Sequence, residues 1–268
     1  MAARTVGPMV RDWRIRRRRS QMDLALDVGV SPRHLSFVET GRSRPSPELV
    51  LALADRLEVP LRERNVLLLS AGYAPRYPET SLDAAAMARV RAALQRLLDS
   101  HDPYPGVVID RLWNVVLANE AAALLTQGLP DHLVNPTMNV FRVCLHPDGL
   151  ASRILNFEEF GFYLLAQLYR SAVLTGDAEL QRLADEVSQY PNVVGLGEWR
   201  RSAAADEPTL LVPLRLDIGG AELSLFTTLT TFGTPQDITL AELAVELFFP
   251  ADEDTDALLR GARALPNT

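Results

Sequence analysis

The 268-residue sequence predicts an all-α bundle followed by an α+β domain, the latter built as a five-stranded antiparallel sheet with covering helices. Three observations lead there. Residues 7–73 fall into short helical stretches separated by caps, prolines and glycines. From residue 106 the apolar period changes from about 3.6 to 2, the mark of strands. Charge also divides between the two parts. Residues 1–70 hold 13 Arg against 8 Asp plus Glu, a net +5, while the remainder holds 14 Arg against 26 acids, a net −12. A basic head on an acidic body suggests a polyanionic partner for the head alone. The expected boundaries are 1–73 for the bundle, 74–81 for a linker and 82–265 for the second domain.

The bundle is written in its punctuation. Ser20-Gln21-Met22-Asp23 places a capping hydroxyl three residues ahead of an acid, a relative of the capping box. Ser31-Pro32 and Ser46-Pro47 each set a cap before a proline at the first helical position, where a missing N–H costs nothing. Gly29, Gly41 and Gly72 stand where helices should stop. Between Gln21 and Thr40, Ala25 offers a small residue at a helix crossing and Gly29 a tight turn. Leu24, Val28, Val30, Leu35 and Val38 point inward. After Pro60, a last helix closes the bundle with Leu57, Leu61, Leu68 and Leu69 inside. Ala74 to Ser81, with two prolines and no periodicity, reads as the linker.

The Gln21–Thr40 stretch resembles the helix-turn-helix of phage-repressor-type (Xre/Cro) regulators, and Val38-Glu39-Thr40-Gly41-Arg42 looks like that family's exit from its recognition helix. With Leu35 and Val38 inward, the helical period turns Pro32, Arg33, Ser36 and Phe37 outward. Together with Ser31 they form the set expected at a double-stranded DNA operator. Arg33 is placed to read guanine and Phe37 to meet a thymine methyl. Arg42 and Arg44 follow the helix and are expected on flanking phosphates. His34 lies at the margin, with a phosphate contact and a passive surface position both open. For Arg16-Arg17-Arg18-Arg19 a phosphate contact and a solvated helix end are equally open. The resemblance further implies a phosphate contact for Gln21 and a salt bridge between Arg14 and Glu39.

In the second part, Leu82 to His101 is helical, with Met87, Val90, Leu94, Leu97 and Leu98 on one face. That face suits docking on the following domain or pairing with its copy in a homodimer. Strands are expected at Gly106–Asp110 and Trp113–Ala118, and Asn119 is placed to cap an Ala-rich helix. Leu210, Val212, Leu214 and Leu216, then Gly219-Gly220, then Leu223, Leu225 and Leu229 read as a hairpin. Leu243, Val245, Leu247 and Phe249 supply a fifth strand. Pro213 cannot donate a ladder hydrogen bond and so assigns its strand to an edge. Amphipathic helices from Phe157 to Ser171 and from Asp177 to Tyr190 are expected on one face of the sheet. A strand ending in Asp, a turn, a strand ending in Asn and an Ala-rich helix resemble the opening of a PAS domain, in which the strand after the helices is an edge.

Over residues 1–265 the chain resembles the MmyB-like family of regulators, which joins such a helix-turn-helix to a PAS-like ligand-binding domain. Leu35 to Arg42, Leu145-His146-Pro147-Asp148-Gly149 and Thr231-Phe232-Gly233-Thr234-Pro235-Gln236-Asp237 carry the resemblance. It implies a transcriptional regulator whose second domain senses a small lipophilic, fatty-acid-like effector. Candidate walls are Phe141, Phe157, Phe160, Leu164, Leu168, Leu225, Phe226 and Phe248. Arg142 is the expected anchor for an acid head, with His146 and Tyr163 as lesser choices.

Other classes are less well supported. No Gly-rich phosphate loop, metal-spaced His/Cys set or Gly-x-Ser-x-Gly elbow occurs, so no enzyme, metal or further cofactor is expected. Cys144 stands alone, which leaves no intramolecular disulfide. No run of about 18 apolar residues suggests a membrane span, and the chain reads as cytoplasmic. The rival reading gives the second domain dimerisation or protein interaction alone.

Overall fold

The computed structural model describes residues 5–196 and 211–263, and it divides into two compact units. The first comprises residues up to Ser81 together with Gly233–Ala241. Its helices are α1 (Val6–Arg16), α2 (Gln21–Asp27), α3 (Pro32–Glu39), α4 (Pro47–Arg56) and α5 (Leu61–Ser70). The caps set their starts: Ser20 accepts from the Asp23 N–H, Ser31 from His34 and Ser46 from Leu49. Gly29 and Gly41 take φ of 72° and 74°, left-handed values that glycine adopts without strain and that close α2 and α3. Val10, Trp13, Leu24, Ala25, Leu35, Leu53 and Leu57 are buried at the centre. The register of α5 differs from expectation. Leu67 and Leu68 face inward, Leu61 is half-buried and Leu69 is exposed, because the helix meets its neighbours along its 67/68 edge.

Residues 74–81 are tied down rather than free. Asn65 accepts from the N–H groups of Arg76 and Tyr77 at 2.9 and 3.1 Å and donates to the Tyr77 carbonyl at 2.7 Å. Arg62 pairs with Glu79. The segment also meets residues that the expected boundaries placed in the second domain. Ile238 donates its N–H to the Pro78 carbonyl at 2.8 Å, and Thr80 donates to Asp237 at 3.1 Å. The other Asp237 oxygen accepts from Thr239 at 2.8 Å, capping α12 (Ile238–Glu242). The Thr231–Asp237 motif therefore ends as a clasp within the first unit.

The second unit holds the sheet. Its elements are α6 (Ala88–Asp99), β1 (Gly106–Ile109), β2 (Val115–Ala118), α7 (Glu120–Leu125), α8 (Asp131–Val134), α9 (Val140–Leu145), α10 (Phe157–Thr175), α11 (Ala178–Val187), β3 (Leu214–Ile218), β4 (Ala221–Thr231), β5 (Ala244–Pro250) and α13 (Glu253–Arg263). The strands form one antiparallel sheet in the order β2-β1-β5-β4-β3. The β3 strand is an edge, and Pro213 lies just before it rather than within it. Leu210, expected in that strand, lies outside the described residues.

Local polar groups shape the sheet's entry. Asp110 accepts from the N–H groups of Leu112 and Asn114, closing the β1–β2 turn. That turn holds Trp113 at φ 66°, so the tryptophan belongs to the turn and not to β2. Asn119 is buried; it caps α7 and also accepts from the Gly106 N–H at 2.9 Å.

Both faces of the sheet are covered. Leu94 and Leu98 of α6 are buried against the face carrying Val108 and Val245, so this helix docks on its own domain. The opposite face carries Val107, Leu216, Leu225, Glu246 and Phe248, and looks toward α9 and α10. The α11 helix packs on α10 and α9 and forms a second layer behind them.

Candidate DNA-binding helix and candidate effector cavity

The α3 helix is held from behind by a buried polar cluster. Glu39, at its end, has a side chain only 2% exposed. It accepts from Arg14 through both oxygens, at 2.7 and 2.9 Å, and from the Gln21 side-chain amide at 2.9 Å. Arg14 donates a further bond to the Arg19 carbonyl at 3.0 Å. The hydrogen bonds that Arg14 donates to the Glu39 carboxylate push the guanidinium's pKa further up. Gln21, expected on phosphate, thus has its amide turned toward Glu39. A residue that the sequence reading missed lies beside this cluster. A Cβ on Gly7 would sit 2.3 Å from the Val38 carbonyl oxygen, so only glycine lets α1 lie this close to α3. A glycine inside the first helix was the available signal.

The outward face differs in character. Ser31, Pro32, Arg33 and Arg42 are exposed, and Ser36 and Phe37 are half-buried. The Arg33 guanidinium rests 5.4 Å from the centre of the Phe37 ring. Such stacking consumes none of its five N–H donors. Other arginines have internal duties. Arg44 donates to the Ala71 and Gly72 carbonyls at 2.8 and 3.1 Å and lies 4.7 Å over Tyr73, so it caps α5 instead of standing free for phosphate. Arg17 caps α4 through the Leu57 and Glu58 carbonyls, and Arg19 pairs with Asp27. Within the 16–19 run, Arg16 and Arg18 remain exposed.

In the second unit a cavity of about 510 Å³ opens between the sheet and the α9–α10 layer. Pockets for small organic ligands span roughly 300–1,000 Å³. Of the expected wall residues, Phe160, Leu164, Leu225, Phe226 and Phe248 border it. The ring of Phe226 stacks on Phe249 at 5.5 Å, which puts it at the margin. Phe141, Phe157 and Leu168 do not border the cavity. Phe141 and Leu168 are wholly buried in packing, Phe141 against Trp113, and Phe157 is half-buried against the same core. Trp113, Val115, Met138, Gln167, Thr227 and Glu246 line the cavity without having been anticipated.

Of the expected anchors, Tyr163 borders the cavity, while Arg142 and His146 are elsewhere. Arg142 donates to both oxygens of Glu186 at 2.7 Å, and that pairing holds the Glu186 carboxyl below the usual range. Arg142 does not border the cavity, and neither does His146. The His146 imidazole packs edge-on against Tyr190 and His132, and its Nδ1 accepts from the Asp148 N–H. His132, His146 and Asp148 bring ligand-type atoms within 4.8 Å of one another, a grouping the sequence did not suggest. In the same motif, a Cβ on Gly149 would fall 2.2 Å from the Val143 carbonyl oxygen, so this glycine permits a close backbone approach.

Cys144 and Glu246 on the cavity wall are both shifted by burial. Burial pushes the Cys144 thiol up to about 12, which keeps it protonated and a poor nucleophile. Burial likewise raises the Glu246 carboxyl to about 7, against the smaller opposing effect of a hydrogen bond with Thr227.

An exposed reading face on a braced third helix defines a DNA-binding regulator, and the hollow α+β domain that follows in the chain defines one that takes a ligand. The profile of the helix-turn-helix family matches residues 10–64, and that of the MmyB-like transcription regulator ligand binding domain matches residues 90–262. The chain belongs to this MmyB-like family. A comparison with curated proteins finds no match. No described helix is long and apolar enough to cross a membrane.

Proposed function

We propose that this protein is a cytoplasmic regulator that binds a double-stranded operator as a homodimer and responds to a small lipophilic effector held between α10 and the sheet. The observation that carries this is the cavity of about 510 Å³ lined by Trp113, Phe160, Leu164 and Phe248, on a chain whose first unit exposes Arg33 on a helix-turn-helix. Half-sites are expected about one helical turn, roughly 34–36 Å, apart. The acyl part of a fatty-acid-like effector suits these walls, while the anchor proposed for its acid head, Arg142, is paired with Glu186. The rival reading, dimerisation alone, loses its best surface because α6 buries Leu94 and Leu98 on its own sheet.

Signal transfer has a covalent route. The chain leaves the cavity wall along β4, contributes Gly233–Ala241 to the first unit, and returns as β5. Ligand-dependent adjustment of these strands would therefore reach the clasp formed by Asp237 and Thr80. Native mass spectrometry of the purified full chain, with an operator-binding titration before and after ligand removal, tests the proposal. Co-purified lipophilic mass and a changed operator affinity support it. A chain that binds no apolar ligand and whose operator affinity is unaltered by Leu164→Trp, which fills the cavity, refutes it.

A further inference from the structure

The cavity contains an unmet polar demand. Glu246 lies in the middle of β5 on the face that also carries Phe248, with Val107 and Leu229 as its cross-strand neighbours. Both neighbours are apolar and both line the cavity. Thr227 is the hydrogen-bonding neighbour of the carboxyl, whereas Oε2 is fully enclosed and accepts no hydrogen bond. An enclosed, unsatisfied oxygen costs free energy that a ligand can restore by supplying a donor. Oε2 itself is closed off from the open space, but Glu246 lines the cavity, so its carboxyl group stands in the wall that an effector would touch.

We propose that the cavity selects a lipophilic molecule bearing one hydrogen-bond-donating head, an amine ahead of a hydroxyl, seated against Glu246, and that it discriminates against free carboxylic acids. The inference rests on reading this cavity as the effector site. An ammonium head would form a charge-assisted bond with the Glu246 carboxylate, roughly twice as strong as a neutral one. A hydroxyl would donate the same bond without the charge. A carboxylate head would meet Glu246 as a like charge in an apolar setting, and among the described residues no cationic side chain borders the cavity to offset it. Trp113, Phe160, Leu164 and Phe248 supply the apolar walls for the rest of the molecule.

The test is a matched ten-carbon series: decylamine, 1-decanol and decanoate, each titrated calorimetrically at pH 8 below micelle formation into the full chain. Wild type and the Glu246→Gln and Glu246→Leu variants are compared, with cooperative melting as the check on folding. Decylamine should bind the wild type at least about tenfold more tightly than decanoate. Glu246→Gln should remove about tenfold or more of the amine affinity while leaving decanol within a few-fold. Decanoate binding as tightly as decylamine overturns the inference and leaves the cavity as a ligand site. Amine binding that both variants leave unchanged also overturns it. Binding of none of the three overturns the cavity reading as well. The wild-type order of affinities needs no variant, so a variant that fails to fold does not rescue the inference.

Discussion

Replacing Arg14 with methionine removes the cation from a carboxylate that is almost sealed from water. Glu39 would keep one neutral donor, the Gln21 amide at 2.9 Å, in place of three bonds, and its side chain is only 2% exposed. Stranding one partner of a buried ion pair costs about 3–5 kcal/mol. Arg14→Met should therefore lose about 3 kcal/mol or more from the first unit, a large part of a small domain's stability. Glu39→Gln should cost less. Arg14 is 13% exposed and still donates to the Arg19 carbonyl, so its charge keeps water and one acceptor. The double variant, with no buried charge left unpaired, should then be more stable than Arg14→Met alone. Hydrogen exchange of amides in α1–α5 of the full chain reads this unit's opening free energy apart from the sheet domain. The reasoning is refuted if Arg14→Met changes that energy by less than 1 kcal/mol, or if adding Glu39→Gln to it restores nothing.

Arg33→Ala should reduce discrimination among operator variants by about 1–3 kcal/mol, measured by competition binding. Arg42→Ala should instead weaken all sequences alike and lower the salt slope by about one. Gly7→Ala would push a methyl to 2.3 Å from the Val38 carbonyl and should cost about 1–3 kcal/mol by overpacking, with looser operator binding. Glu246 yields a pH signature. Its carboxyl is raised to about 7, so its contribution to stability is complete below the unfolded value near 4.5 and is lost as pH rises through 7. Without ligand, Glu246→Gln should match wild type near pH 4.5 and exceed it by about 3 kcal/mol at pH 8; a melting difference that does not change with pH would contradict this.

The helix-turn-helix was legible because its determinants are local. Ser31-Pro32 and Ser46-Pro47 specify where helices start through bonds only three residues long, and Gly29 specifies the turn by its own dihedral angle. What escaped notice depends on distant partners. Arg44 looks like a phosphate ligand until the end of α5, 27 residues away, presents its carbonyls. Arg142 looks like an anchor until Glu186, 44 residues away, occupies it. Leu67 and Leu69 are alike in composition, and only packing against the other helices decides which is buried.

Glu246 escaped for a different reason. Alternation along β5 assigns Leu243, Val245, Leu247 and Phe249 to the core and leaves Glu246 on the other face, which in a half-covered sheet would be solvent. Here α6 covers the first face, and α9 and α10 roof the second. The polar face of the pattern is therefore the inside of a cavity. Thr227 breaks the Leu223–Leu225–Leu229 series at the same depth, beside Phe248 in the ladder. Polar residues interrupting two adjacent apolar strands are costly in a filled core, because each needs a partner. They become economical where a ligand can provide one. The sequence held that signal, but reading it required knowing that both faces of the sheet are covered, a fact set by helices distant in the chain, α6, α9 and α10.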